Sequence, residues 1–477
     1  MTSASRWLLL ASVLLIPRPA AAAARWNVNG ATVSAASTNQ LTAHSRSLSA
    51  SDGAGGLYTV WVDSVNVGST GNLNVYAQHL DSSGAPVSGW TAGGVQVSTT
   101  PTRSVVYDAA FAGSNVMPAA ASDGAGGLIV VWQDWRSGNG DVYAQRLSAA
   151  GAKLWAPEGV LVADGPTAAG DQAGAPFLAD DGDLFVLFYD SAPLAQGGLN
   201  FRVQKLDASN GARLLQAYGN WIASTSAQAL TGFSEPVTDA AGGLLFAWGD
   251  RHAGTGSDAF AARVDADGNR VWVSTLSAAA NDQGNQINSV SDGSGGMYSV
   301  WVDSRAGGGE NDVYGTRVSV NGTAASGWTI GGSGGSAICA YANAFQVAPI
   351  AERYASDLVV TWLDSRSGVV EAYAQRMGGA SGAAVWTTSG VPVFQFAGGL
   401  SNVAESPFVA VSSGNIFFAT GWLNIALGCG SVCYTELAAG QSLDPADGSR
   451  LFGSTGTLLG QIAFDPLQTY LPRGFEA

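Results

Sequence analysis

Residues able to do chemistry are sparse in this chain, and most sit inside copies of one stretch. The clearest copy reads SDGAGGLIVVWQDWRSGNGDVYAQRL, residues 122–147. It places Asp134 two residues after Trp132 and Arg136 two residues further on, and the same acid–arginine spacing returns at Asp303/Arg305 and Asp364/Arg366. An arginine so placed can grip an anionic group of a ligand through its forked donors. It can equally pair with its own aspartate and belong to the scaffold. An aspartate two residues after the aromatic can also cap the loop that follows.

Residues that break the copies are the better site candidates. Trp135 follows Asp134 directly, and Trp221 fits neither of the two positions that tryptophan otherwise occupies. A tryptophan beside an arginine can stack on a sugar ring or clamp a peptide. His252 follows GDR in the fourth copy, GGGEND places Glu310 and Asp312 in the fifth, and Glu436 stands where other copies carry Arg, His or Lys. The candidate ligand-binding set is therefore Trp135, Arg136, Trp221, His252, Arg305, Glu310 and Arg366; no catalytic residue can be assigned.

Two kinds of metal site come into question. Asp265, Asp267 and Asn269 in VDADGNR, and Asp444 and Asp447 in DPADG, resemble the first half of a calcium loop. Both lack the distal bidentate acid, and Asp-Gly is what a tight hairpin asks for anyway, so no cofactor is expected. Cys429 and Cys433 in GCGSVCY can close a small disulfide in an oxidising compartment, which leaves Cys339 over. Zinc would need further ligands at that point.

The repeat dictates what positions these groups. Aromatic and acid recur at Trp61/Asp63, Trp132/Asp134, Phe188/Asp190, Trp248/Asp250, Trp301/Asp303, Trp362/Asp364 and Trp422/Asn424. A turn precedes each pair, as in SDGAGG or SDGSGG. A strand-like stretch follows each: NVYAQHL, DVYAQRL, NFRVQKL, DAFAARV, DVYGTRV, EAYAQRM and SVCYTEL. Then comes a Trp with Gly four residues on, at Trp90/Gly94, Trp155/Gly159, Trp328/Gly332 and Trp386/Gly390, with weaker forms at Leu215/Gly219, Trp272 and Phe452/Gly456. Each unit thus supplies about four short strands, which cannot bury both faces alone. Copies packed around a ring solve that problem, so the fold expected is all-β, a seven-bladed β-propeller of four-stranded antiparallel blades. Trp26 and Gly30 carry the fourth-strand spacing with no unit before them. An orphan outer strand of this kind can close the last blade against the first and remove a sheet edge.

Bulk properties narrow the partners. The chain has 477 residues, 46% hydrophobic and 12% charged, with a net charge of −15. That balance argues against nucleic acid or an anionic membrane as partner, since either would need a basic face. MTSASRWLLLASVLLIPRPAAAAARW has one early Arg, a short apolar run and small residues, the pattern of an export signal cut after Ala24. That divides the chain into a signal peptide at 1–24 and one propeller domain at 25–477, exported, soluble rather than membrane-inserted, and monomeric.

The D…GG…W.D.R…DVYAQRL…W…G unit resembles the repeats of exported bacterial propeller proteins and spans nearly the whole mature chain. The turns in SAAGAKLW and DADGNRVW are similar to the tryptophan-docking turns of quinoprotein propellers. Sialidase Asp-boxes are a further comparison, but their Asp-to-Trp interval is shorter and lies on another turn. These resemblances imply architecture and no activity. The function expected is a binding or interaction module for a glycan or protein. A carbohydrate-active enzyme and a structural envelope protein are the alternatives; a hydrolase would need two carboxylates about 5 to 9.5 Å apart.

Overall fold

In the computed structural model, the described residues are 39–41, 49–64, 73–98, 118–134, 136, 140–163, 171–179, 182–190, 199–225, 230–252, 256–395, 403–404, 407–412, 414–426 and 433–463. Every regular element among them is a β-strand, and the strands form seven antiparallel sheets.

The second sheet shows the common plan. Ala119–Ser122, Leu128–Asp134, Asp141–Leu147 and Val160–Leu161 pair in sequence order, a simple meander. Its first turn is set by local chemistry: Asp123 accepts the amides of Ala125 (2.8 Å) and Gly127 (2.6 Å), with Gly124 and Gly126 at positive φ. A Cβ on Gly127 would meet the Leu147 carbonyl at 2.4 Å, so only glycine lets the third strand pass that close. The other sheets repeat the plan, and the first strand is split in two in the first, fourth and seventh.

Packing between sheets follows from the pleat. All seven residues of Leu128–Asp134 are buried, as befits a strand covered on both faces. Leu128, Val130 and Trp132 join Tyr58, Val60 and Trp90 of the first sheet, whereas Ile129 and Val131 join Leu184, Val186 and Phe188 of the third. The alternation required by a period of two thus sends successive residues to opposite neighbours. Clusters of the same kind join the third sheet to the fourth, the fourth to the fifth, the fifth to the sixth and the sixth to the seventh. The sheets are stacked in chain order, a propeller-like succession.

A second set of contacts locks each sheet to the next. The Trp of the fourth segment lies on the turn between the third and fourth strands of the following sheet. Its indole donates to that turn's second residue: Trp90 to the Ala149 carbonyl (2.8 Å), Trp155 to Ala208 (3.1 Å), Trp272 to Val320 (2.8 Å), Trp328 to Gly379 (2.9 Å) and Trp386 to Pro445 (2.9 Å). At the junction of third and fourth sheets Leu215 packs on Gly268, and Asn220 donates to the Gly268 carbonyl (2.9 Å). A basic residue of the third strand strengthens the lock. Arg146 pairs with Asp123 (2.8 Å) and reaches the same Ala208 carbonyl (2.8 Å); Arg317 and Arg376 do likewise with Asp292 and Asp357. In the first sheet His79 takes this place, 3.0 Å from Asp52 and stacked on Tyr58.

The seventh sheet corrects the expected alignment. Ile416 pairs with Leu443 and Gln441 donates to the Gly453 carbonyl (2.8 Å), as Gln145 does to Ala156 (2.7 Å). Its counterpart of DVYAQRL is therefore the end of Cys433–Leu443, with Ser442 rather than Glu436 at the basic position, and Thr420 rather than Trp422 sits at the aromatic one. The longer hairpin carries the look-alike motif SVCYTEL six residues out of step. Thr457–Ala463 pairs with the third strand, so this sheet supplies its own fourth strand. Trp26 and Gly30, expected to complete it, lie outside the described residues.

Candidate functional site

The strand-two aspartates are consumed by their surroundings. Asp303 is fully buried; it accepts the Trp301 indole (2.9 Å), the Arg305 amide (2.9 Å) and the Arg305 guanidinium (2.7 and 2.8 Å). Arg305 also lies 3.9 Å over the Tyr314 ring and donates to the carbonyls of Ser333 and Gly334. Asp364 and Arg366 repeat this with Trp362 and Tyr373, and Asp134 and Arg136 with Trp132 and Tyr143. In the third sheet Arg202, from the neighbouring strand, reaches Asp190 instead (2.5 Å). A buried carboxylate demands such a partner, so these arginines are part of the frame.

One rim segment differs. Residues 340–345 link the fourth strand of the fifth sheet, Ser336–Cys339, to the first strand of the sixth, Gln346–Tyr354. The link carries Tyr341 and Phe345, 46% and 40% exposed. It is pinned on both sides. The Asn343 amide donates to Glu310 (3.0 Å), the Phe345 amide to the Ser365 hydroxyl (2.9 Å) and the Gln346 amide to the Asn311 carbonyl (2.8 Å). Asn343 itself has φ +60°, a conformation asparagine tolerates better than most residues. Beneath Tyr341 lies the Arg366 guanidinium, 4.6 Å from the ring centre.

Acidic groups border this link. Asp312 is buried opposite Asp303, and its carboxyl is pushed up to about 6, by burial first and then by the charges of Asp303 and Glu310. The buried carboxamide of Gln346 ends 3.0 Å from the Asp312 carboxyl, and assigning its nitrogen to that side gives both groups a partner. Cys339 receives an Arg366 N–H at 2.8 Å, and burial pushes its thiol up to about 12, which leaves it unreactive at neutral pH. Fixed aromatic faces next to hydrogen-bonding carboxylates suit a ligand with one apolar face and a hydroxylated edge.

The candidates nominated from sequence separate accordingly. Glu310 and Arg366 lie at this link, Glu310 fixing Asn343 and Arg366 beneath Tyr341, whereas Arg305 is held away from it by Asp303, Ser277 and the carbonyls of Ser333 and Gly334. Arg136 occupies the equivalent support in the second sheet. Trp221 lies on Asn220–Ser224 at the outer side of the third sheet, 44% exposed, with Arg270 4.5 Å over its ring. His252 ends the strand Leu244–His252, and its side chain falls outside the described residues, as do Trp135, Cys429 and the side chains of Cys433 and Glu436. In the first calcium-like loop, Asp265 accepts the amides of Asp267 (3.1 Å) and Asn269 (2.8 Å), the bonding of a hairpin cap. Asp444 and Asp447 cap their own turn in the same way, through Ala446 and Ser449. Tyr341 and Phe345 were missed from sequence. Their only signal was two aromatics in CAYANAF, between copies rather than within one.

No protein-family model matches the chain, and no curated protein does. Among solved structures, it is similar to a protein of unknown function from Dyadobacter fermentans DSM 18053, with 12% identity, TM-score 0.35, and 68% of this chain and 93% of that one covered. The Hadza microbial sialidase Hz136 shows 13% identity, TM-score 0.34 and coverage of 75% and 71%. The α-L-arabinofuranosidase Arb93A from Fusarium graminearum shows 11% identity, TM-score 0.32 and coverage of 60% and 91%.

Proposed function

We propose that the seven sheets close into a seven-bladed propeller that is exported and acts as a carbohydrate-binding module, with its ligand seat at the link between the fifth and sixth sheets. One observation carries the reading: Tyr341 and Phe345 stand exposed on a segment held rigid by hydrogen bonds from both neighbouring sheets. Aromatic rings presented without a conformational cost on binding are what stacking on a sugar uses. Half-buried Glu310 adds an acceptor for hydroxyl groups.

Binding is favoured over hydrolysis by the state of the nearest carboxylates. Asp312 has the raised pKa of a general acid, but its cross-strand neighbour Asp303 has both oxygens engaged by Arg305 and Trp301. A glycosidase needs that second carboxylate free to act as base or nucleophile. The test is a glycan array with wild type, Tyr341→Ala and Phe345→Ala, followed by titration calorimetry on the best glycan. Each variant is expected to bind at least about tenfold more weakly, near 1.4 kcal/mol. Undiminished binding by both variants, or no glycan bound by wild type, would overturn the proposal. Secreted protein beginning at Arg25 would support export.

A further inference from the structure

We infer that the seat takes a neutral oligosaccharide and not a single sugar: one unit stacks on Tyr341 and Phe345, and the chain runs over the loop at 307–309 to Asp282 and Arg251. The inference rests on the carbohydrate-binding reading above and extends it to the length and charge of the ligand.

The loop between the second and third strands of the fifth sheet, residues 304–311, lies between two rim links. On one side it holds the link already described. Glu310 accepts the Asn343 amide (3.0 Å), and the Asn311 carbonyl accepts that of Gln346 (2.8 Å). On the other side it meets residues 278–284, the link from the fourth sheet to the fifth. There the Ser304 amide donates to the Asp282 carbonyl (2.8 Å), and a Cβ on Gly307 would stand 3.6 Å from the Asn281 side chain. The crest of the loop is Gly307, Gly308 and Gly309, all at positive φ, and a Cβ on either of the last two would meet nothing within 4 Å. The backbone between the links is therefore a floor without side chains, open above.

The far end of this floor sets a donor beside an acceptor. Asp282 stands where Phe345 stands in the next link, since each carbonyl accepts the serine amide that opens the following loop, Ser304 or Ser365. One oxygen of the Asp282 carboxylate is anchored by the Ser257 amide at 2.9 Å, and the other lies 3.8 Å from Arg251. Arg251 directly follows Asp250, whereas the supporting arginines stand two residues after their aspartates. Its side chain is 57% exposed, against 17% for Arg305 and 11% for Arg366. A carboxylate next to a guanidinium complements two neighbouring sugar hydroxyls, each of which gives and takes a hydrogen bond. Asp282 offsets the charge of Arg251, and Glu310 adds a negative one, which disfavours an anionic sugar.

Stacked sheets lie about 10 Å apart, so the two ends of the floor are separated by more than one pyranose ring. A monosaccharide can occupy either end. Only a chain occupies both, and it makes the second contact without a second loss of translational freedom.

Titration calorimetry tests this with β-1,4-linked ladders of glucose, xylose, mannose and N-acetylglucosamine, from one to five units. In the tightest-binding ladder, wild-type affinity should rise at least about tenfold from the monosaccharide to the tetrasaccharide. Arg251→Ala should cancel that rise, and because the side chain is exposed the fold should survive the change. Gly308→Asn should cancel it too, since asparagine tolerates a positive φ and its side chain would stand in the path. Affinity independent of length, a rise retained in either variant, or no ladder bound by wild type would overturn the inference. Tyr341→Ala separates it from the reading beneath. Loss of binding at every length in that variant upholds the seat even where length has no effect, and loss at none ends both.

Discussion

The fourth segments of the sixth and seventh sheets occupy corresponding positions and end differently. At the first, Trp386 is buried against Gly448 and bonded to Pro445. At the second, Phe452 is held by the same Gln–amide contact and stands largely in solvent. Strand position is therefore not what makes a junction. A ring lying on a bare glycine, with a polar edge aimed at a backbone carbonyl, makes it. Burying the ring contributes apolar area, and the N–H satisfies an oxygen that the same burial would otherwise strand.

Breaking that contrast gives the largest expected effect. Trp386→Ala should cost about 3–5 kcal/mol in the unfolding step that includes its junction, whereas Phe452→Ala should cost under about 1; equal losses by urea titration would erase the distinction. Next come the ion pairs. Asp364→Ala leaves Arg366 buried and uncompensated, a loss of about 3 kcal/mol. The exposed Arg251–Asp282 pair, at 3.8 Å, should contribute less than about 0.5 when Arg251→Ala is measured. Glycine sharpens the comparison further. Gly448→Ala meets both an unfavourable φ and the Trp386 ring at 2.9 Å, while Gly453→Ala meets an unfavourable φ alone. The first should be more destabilising by about 1–2 kcal/mol, read as the difference of two denaturation midpoints.

A further effect is in pH. The Asp312 carboxyl is raised to about 6, above its unfolded value of 3.8, so the folded state holds its proton more tightly. Its contribution is complete below pH 3.8 and lost as pH rises to about 6, with no further change above. Asp312→Asn should remove about 1–2 kcal/mol of that dependence between pH 4 and 7. Identical pH profiles for variant and wild type would show that Asp312 is ordinary.

Sequence spacing located the strand-two aromatics of the first six copies and the tryptophans that dock between sheets. It misplaced the seventh copy, because SVCYTEL mimics a third strand while the hydrogen bonds of Gln441 fix the register six residues later. The candidate site was legible only in part. Glu310 was found as an interruption of the repeat, and Arg305 and Arg366 were named beside it, but the exposed rings of Tyr341 and Phe345 lie in a connection where no periodicity operates.

Turn glycines, capping aspartates and the period-two alternation act over a few residues, so the chain alone settled the seven units and their strand order. Whether a given arginine or aromatic faces a neighbour or solvent depends on groups that only the folded strands and links bring together, such as Cys339, 27 residues from Arg366. Arg366 looked available until Asp364, Cys339 and Tyr373 enclosed it, and Tyr341 looked ordinary until the pinned link held it outward. Satisfaction of a buried charge is a property of the packed assembly, and the folded arrangement alone could assign it.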